Sequence, residues 1–179
     1  MVELRPVKLS DAAAVYDAWG RYPENFERLT ARAFRCIEDA GEYLGALLST
    51  PQSLAFHIAC DSQIVGLVKA AVVGHRAQVG YVVHQPYWGR GVATEAVQKL
   101  TTKLEESRDI SRIWATCALD NPGSVRVLEK CGFQREGVLR NWVIYPALGS
   151  RVADNYSYVR IPGNAGARAG TETGPVTSK

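Results

Sequence analysis

The spacing of hydrophobic residues changes along the chain, and each spacing indicates one type of element. Short apolar runs, alternating or continuous, predict strands, whereas apolar residues three or four positions apart predict helices. The predicted strands cover residues 2–8, 54–60, 63–73, 78–84, 110–119, 134–145 and 155–161. The predicted helices cover residues 12–19, 31–50 and 93–107 and a segment between Asn121 and Gly132. The order βααβββαβαββ predicts a mixed α/β (α+β) fold around a largely antiparallel sheet.

The ends of these elements carry the residues that usually stop or start them. Pro51 ends the second helix, because proline removes a backbone donor. Asn121 is a good N-cap, Pro122 suits the first helical position, and Gly132 suits a helix end. Residues 20–30 mix turn formers with aromatic residues, and their pattern assigns no element. We expect one domain over residues 1–162 and a disordered tail over residues 163–179, which is small, polar and without aromatics.

Composition narrows the class of protein without naming an activity. The 179 residues carry a formal net charge of +3, and the basic residues are scattered, so we expect no nucleic-acid partner. No apolar run is long enough for a bilayer and no secretory signal begins the sequence, so we expect a cytoplasmic protein without membrane association. The cysteines form no C-x-x-C pair and have no metal-ligand spacing to the histidines, which predicts reduced thiols and no metal.

The segment 86–96, PYWGRGVATEA, places two glycines between a predicted strand and a predicted helix. Glycine belongs where the chain must turn sharply, where backbones pack closely, or where a ligand approaches the backbone. Backbone N–H groups at the start of a helix suit an anion such as phosphate. The segment matches neither the Walker A pattern nor G-x-G-x-x-G, because Thr94 stands where the third glycine would be. A plain turn, close packing and a phosphate site all remain open from the loop alone.

Two motifs in a fixed order suggest a family. The run VGYVVHQPYWGRGVATEAV, followed by DNPGSVRVLEKCGF, resembles the GNAT superfamily of acyl-CoA-dependent N-acetyltransferases. The resemblance is greatest to the RimJ/RimL type, which comprises the ribosomal-protein alanine N-acetyltransferases and their small-molecule relatives. The family loop pattern is Q/R-x-x-G-x-G/A, and here Trp88 stands at its first position, as is usual in the RimJ/RimL type. The resemblance implies a GNAT fold, a twisted and mostly antiparallel sheet flanked by helices, whose central strands splay apart to hold acetyl-CoA.

The resemblance also implies where acetyl-CoA binds. The glycine loop receives the diphosphate, and the pantetheine arm runs between the splayed strands like a short extra strand. Asn121 matches a family residue that contacts this arm, although its N-cap role explains it equally well. The residues implied in cofactor binding are Tyr81, Val83, Trp88, Gly89, Arg90, Gly91, Val92, Ala93, Thr94, Asn121 and Ser124.

Acetyl transfer to an amine needs a base for the amine, donors for the developing oxyanion and an acid for the departing thiolate. Thr116 and Leu128 stand where many N-terminal acetyltransferases carry Glu and Tyr, and neither can do that work. The resemblance makes Ser124 the candidate acid. His84 is a candidate base by its unperturbed pKa, although filling a strand end or a water chain are alternatives. Cys117 lies in an apolar strand and is interpreted as a core residue.

The sequence defines the amine acceptor less well than it defines the acetyl donor. Six aromatic residues fall in the two regions that wall the acceptor pocket of the GNAT fold, although core packing explains many of them: Tyr16, Trp19, Tyr22, Phe26, Trp142 and Tyr145. We expect an N-acetyltransferase that uses a protein N-terminal amine or a small-molecule amine by direct attack, as a monomer or homodimer. The alternative is a non-catalytic domain that binds or senses acyl-CoA.

Overall fold

The computed structural model describes residues 1–107 and 109–163. In the described residues seven strands and four α-helices follow the predicted order. The strands are β1 Val2–Pro6, β2 Leu54–Cys60, β3 Gln63–Val73, β4 Arg76–Val83, β5 Arg112–Ala118, β6 Gln134–Tyr145 and β7 Arg151–Arg160. The helices are α1 Ala12–Val15, α2 Ile37–Ser49, α3 Val92–Glu105 and α4 Pro122–Lys130. The expectation of a disordered tail concerns residues that lie, apart from Gly163, outside the described ones.

The strands form one sheet in the order β1-β2-β3-β4-β5-β7-β6. Every neighbouring pair is antiparallel except β4 and β5. One core cluster packs α3 and α4 on the sheet and includes the fully buried Leu100, Ile113 and Tyr158. A second cluster packs α1 and α2 on the sheet and includes Trp19 and Leu44. The mixed, mostly antiparallel fold predicted from the sequence is confirmed.

The two parallel strands at the centre of the sheet separate after a short contact. Their paired residues are Arg76 with Arg112, Ala77 with Ile113 and Gln78 with Trp114. From Val79 in β4 and Ala115 in β5 onward, no ladder joins the strands. Backbone groups at these positions are therefore available to a ligand rather than to a neighbouring strand. The predicted splay of the central strands is confirmed.

The second helix begins six residues later than its hydrophobic pattern predicts. The pattern indicates a helix over residues 31–50, but α2 begins at Ile37. The Phe34 backbone N–H donates to the carbonyl of Gly20 at 2.8 Å, which holds the preceding segment extended against the second core. The Asp39 carboxylate accepts from the Arg35 backbone N–H at 2.9 Å and satisfies a donor near the helix start. Tertiary packing therefore overrides the local helical pattern here.

Two other boundaries differ from the prediction. The helix predicted over residues 12–19 is α-helical only to Val15 and continues as a π-helical turn, Tyr16–Gly20. Strand β7 starts at Arg151 rather than at 155, because the β6–β7 connection is a short turn at Pro146–Leu148 followed by Gly149 with φ +77°. The unassigned residues 20–30 contain a 3-10 turn, Pro23–Asn25, and the buried Phe26.

Candidate functional site

A cavity of about 340 Å³ lies where β4 and β5 diverge. Its lining comes from both strands, from the loop before α3, from the first turns of α3 and from one face of α4. The segment 24–29, here called the strap, lines the cavity through Glu24, Asn25, Glu27, Arg28 and Leu29. Segments far apart in the chain thus converge on one cleft, and the opening in the sheet creates it.

Gly89 and Gly91 occupy the rim of this cleft in left-handed conformations, with φ of +73° and +81°. Residues with a side chain rarely adopt such values. A Cβ added at either glycine would meet no atom within 4 Å, so close packing of helix on sheet does not explain them. The left-handed turn and the open space in front of it remain, and both suit an anion that approaches bare N–H groups at the start of α3.

Trp88 anchors the glycine loop to the end of β4. Its indole Nε1–H donates to the carbonyl of Val83 at 2.6 Å, while about half of the side chain stays exposed. This bond uses one of the two lone pairs of the Val83 carbonyl oxygen. The tryptophan that departs from the usual Q/R of the loop pattern therefore fixes the position of the loop relative to the strand.

The start of α4 forms the opposite wall. The Asn121 Oδ1 accepts from the Ser124 backbone N–H at 3.0 Å, which confirms the predicted N-cap. The Tyr81 hydroxyl of β4 donates to the Ser124 carbonyl at 3.5 Å, a weak link across the splay, and burial raises the pKa of Tyr81. The Ser124 hydroxyl makes no hydrogen bond within residues 1–107 and 109–163, so it is free to donate to a group in the cleft.

Three further residues of β5 and α4 line the cleft. Thr116, Cys117 and Leu128 all line it. Burial raises the pKa of the Cys117 thiol to about 11, so the thiol stays protonated near neutral pH. A protonated, buried thiol is a poor nucleophile, which agrees with its interpretation as a core residue.

The strap crosses the open end of the splay and is fixed on both sides. On the β4 side, the buried Asn25 accepts from the Gln85 backbone N–H at 2.9 Å and donates to the Trp19 carbonyl at 2.9 Å. On the β5 side, the Arg28 guanidinium donates to both oxygens of Asp120 at 3.2 and 3.1 Å. The two contacts hold the strap over the ends of the two strands that separate.

The Asn25 amide also determines the state of His84. Because Oδ1 accepts from Gln85 and Nδ2 donates to Trp19, the amide orientation is fixed, and Nδ2 faces His84 Nδ1 at 3.2 Å. His84 Nδ1 must then accept, which places the ring proton on Nε2. Partial burial lowers the pKa of His84, against the opposing charge of Glu24. The ring also packs on Tyr22 at 4.5 Å between centroids and does not line the cleft. This arrangement argues against His84 as the base.

The aromatic residues expected at the acceptor side divide into two groups. Trp19 and Phe26 are buried and stack with centroids 5.9 Å apart, so they belong to the second core. Tyr145 is buried and its hydroxyl donates to Asn155 Oδ1 at 2.7 Å. Trp142 is about half exposed on the edge strand β6. Burial therefore accounts for three of the six residues, in agreement with the alternative that core packing explains many of them.

Comparison with known proteins assigns the family. Residues 2–134 match the family model described as an acetyltransferase (GNAT) domain. The chain belongs to the GNAT acetyltransferase family. It is 28% identical over 163 residues to the N-acetyltransferase p20 of Bacillus licheniformis. The alignment covers 87% of this chain and 89% of p20. Other curated relatives are matched over only 38 to 60% of their own length.

Two solved structures extend the comparison. The microcin C7 self-immunity acetyltransferase MccE, in complex with acetyl-CoA and AMP, is 26% identical, has a TM-score of 0.80 and covers 89% of this chain and 92% of its own. RimJ of Mycobacterium smegmatis, in complex with CoA-disulfide, has a TM-score of 0.81 at 22% identity over 92% of this chain and 83% of its own, and it shares the fold. This GNAT chain is an N-acetyltransferase. The non-catalytic alternative is therefore set aside.

Three features of the cleft suit acetyl-CoA. The cleft offers unpaired strand backbone, a left-handed glycine turn with free space, and a free hydroxyl at Ser124. Among residues 1–107 and 109–163 there is no cluster of three potential metal ligands, and no helix is long and apolar enough to cross a membrane.

Most residues expected to bind the cofactor lie together in the cleft. Those that line it are Tyr81, Val83, Trp88, Gly89, Gly91, Val92, Ala93, Thr94, Asn121 and Ser124. Arg90 does not line the cavity, and its guanidinium lies over the Tyr87 ring at 5.6 Å. The assignment of the ten residues to acetyl-CoA stays a prediction.

Sequence reasoning missed the strap and two cations of α4. Glu24, Asn25 and Arg28 lie in the segment that no periodic pattern described, so only the fold brings them to the cleft. Arg126 and Lys130 could have been found from the sequence, because both lie on one face of the helix that follows Asn121.

Proposed function

We propose that this enzyme transfers the acetyl group of acetyl-CoA to a primary amine, either a protein N-terminal amine or a small-molecule amine, by direct attack in a ternary complex. The observation that carries the proposal is that Glu24 and Glu27 line the same cleft as the glycine loop. Primary amines arrive as ammonium ions near neutral pH, and carboxylates on the acceptor wall suit such a cation.

Glu24 is the better placed carboxylate of the two. Glu27 pairs with Arg28 at 3.1 Å and is exposed, whereas Glu24 is half-buried and forms no ion pair within the described chain. Its neighbour Asn25 is fixed by hydrogen bonds to both sides, so the Glu24 backbone is held in place. We therefore assign Glu24 to bind the acceptor ammonium and to accept its proton, directly or through water.

The remaining roles follow from the walls of the cleft. Acetyl-CoA supplies an acetyl group activated as a thioester. The Gly89 and Gly91 backbone at the start of α3 holds the diphosphate, and unpaired β4 backbone around Tyr81 offers hydrogen bonds to the arm and the acetyl oxygen. The Ser124 hydroxyl donates a hydrogen bond to the sulfur. Because the Cys117 thiol stays protonated, direct attack is favoured over an acetyl-cysteine route.

The test is a panel of amines with acetyl-CoA, read by release of free CoA thiol. Small-molecule amines and short peptides with free N-termini are compared with the rate in the absence of amine. Amine-dependent release supports the proposal and names the acceptor class. A rate that no amine raises would contradict it.

Two variants test the base on the acceptor found. Glu24→Gln should lower kcat/KM at neutral pH by about tenfold or more, and raising the pH should recover part of the loss because the amine then arrives neutral. Glu42→Gln, on the exposed face of α2, is the matched control and should leave the rate unchanged. His84→Gln should keep the acidic limb of the pH–rate profile. If His84→Gln removes that limb and Glu24→Gln does not, the assignment of the base is wrong.

A further inference from the structure

Two cations of α4 line the cleft without a partner. Arg126 and Lys130 are exposed, and neither forms an ion pair, a side-chain hydrogen bond or an aromatic stack in the described part of the chain. They lie four residues apart on one helix face, where like charges repel by a few tenths of a kcal/mol. Lys130 also suits the negative end of the helix dipole, but Arg126 lies mid-helix and gains nothing from it.

The C-terminal end of α4, which carries Lys130, lies against the start of α3. The residue after Lys130, Cys131, donates from Sγ to the Thr94 carbonyl at 3.5 Å, which places the end of α4 against the first turn of α3. The same cleft contains the glycine turn and the free N–H groups of that turn. Positive groups of two kinds, backbone amides and side-chain cations, therefore occupy adjoining walls.

Two kinds of positive group match two kinds of phosphate in coenzyme A. A diphosphate diester suits backbone N–H groups at a helix start, because it can approach the chain closely. The 3′-phosphate of the ribose is a monoester with a charge of about −1.5 to −2 near pH 7, and a dianion of this kind is bound well by Arg and Lys side chains. We propose that Arg126 and Lys130 bind the 3′-phosphate and so select coenzyme A over its 3′-dephospho form.

This inference relies on the cleft being the acetyl-CoA site, and binding measurements separate the two claims. Isothermal titration compares acetyl-CoA with acetyl-3′-dephospho-CoA on the parent enzyme and on Arg126→Gln, Lys130→Gln and the double variant. The parent should bind acetyl-CoA about tenfold more tightly, since each of the two exposed ion pairs contributes up to about fivefold in affinity. The double variant should lose this preference while its affinity for the dephospho donor stays that of the parent.

The test has one control variant and several outcomes that would contradict the inference. Lys103→Gln removes an exposed α3 cation that does not line the cleft, and it should preserve the preference. If the double variant weakens both donors equally, the cations contact the diphosphate and the inference is overturned. It is also overturned if Arg90→Gln, rather than the α4 variants, removes the preference. If neither donor binds the parent, the assignment of the cleft itself fails.

Discussion

The Arg28 guanidinium and the Asp120 carboxylate join the strap to the end of β5 through two hydrogen bonds, 92 residues apart in the sequence. The bonds lower the pKa of Asp120, and both side chains are partly exposed. The other attachment of the strap, at Asn25, is buried. The strap is therefore held firmly on the β4 side and weakly on the β5 side, where an exposed ion pair contributes at most about 1 kcal/mol.

Breaking this ion pair should affect acceptor binding more than folding. We expect Arg28→Ala to raise the KM for the amine several-fold while changing the free energy of unfolding by less than about 1 kcal/mol. The dissociation constant of acetyl-CoA should stay the same. Arg140→Ala is the control, because it breaks the pair between the exposed Arg140 and the partly buried Asp154 on the β6–β7 hairpin. Equal KM changes in both variants would show that the strap has no special role.

Two glycine substitutions should separate the effect of backbone strain on stability from an effect on acetyl-CoA binding. We expect Gly91→Ala to lower the free energy of unfolding by about 1–2 kcal/mol because of its positive φ, and also to weaken acetyl-CoA binding. Gly74→Ala is matched, since Gly74 has φ +57°, has no atom within 4 Å of an added Cβ and lies in the β3–β4 turn away from the cleft. It should lose stability but not affinity.

Thermal melts measure the stability of these two variants, and titration calorimetry measures their affinity for acetyl-CoA. An affinity per folded molecule that falls in neither variant would mean that Gly91 serves the turn alone. An affinity that falls equally in both would point to a general loosening of the fold.

The Ser124 hydroxyl should contribute to turnover and not to donor binding. A lost hydrogen bond to a developing thiolate corresponds to about 1.5–3 kcal/mol, so Ser124→Ala should lower kcat about ten- to a hundredfold. The structural bonds of Ser124 use its backbone N–H and carbonyl, so the variant should fold as the parent does. Ser124→Thr keeps the hydroxyl and should recover much of the rate. Unchanged kcat in Ser124→Ala would leave no role for this side chain.

His57 should make stability depend on pH independently of the active site. Its Nε2 contacts Asp11 Oδ2 at 2.9 Å, while Nδ1 is buried without a partner in the described residues. Burial lowers the pKa of His57 below its usual 6.5, against the opposing effect of Asp11. The unfolded chain therefore takes up the proton first, and stability present above pH 6.5 is lost as the pH falls through the folded pKa.

Chemical unfolding between pH 5 and 7.5 measures this effect. The slope of the unfolding free energy below pH 6.5 should flatten in His57→Gln, which can still donate to Asp11. His75→Gln, in the exposed β3–β4 turn, should keep the parent slope. The slope is the readout, because the absolute stability of a buried variant also reflects packing.

Local patterns predicted the order of the elements and ten of the residues that line the cleft. Strand and helix periods, the Asn121–Pro122 start of α4 and the glycine pair are short-range features, because each depends on the conformations of a few neighbouring residues. These features also carried the family motifs, so ten of the residues expected to bind acetyl-CoA could be named before the cleft was seen.

Only the tertiary structure shows which other residues lie beside those ten. The splay of β4 from β5, the strap, the Arg28–Asp120 pair and the hydrogen bond that orients His84 each join segments distant in sequence. No local period encodes such contacts, since they depend on packing among elements and on which buried polar groups find partners. The sequence by itself therefore predicted the residues that we assign to the acetyl donor, whereas only the fold brought the strap, with the proposed base Glu24, to the same cleft.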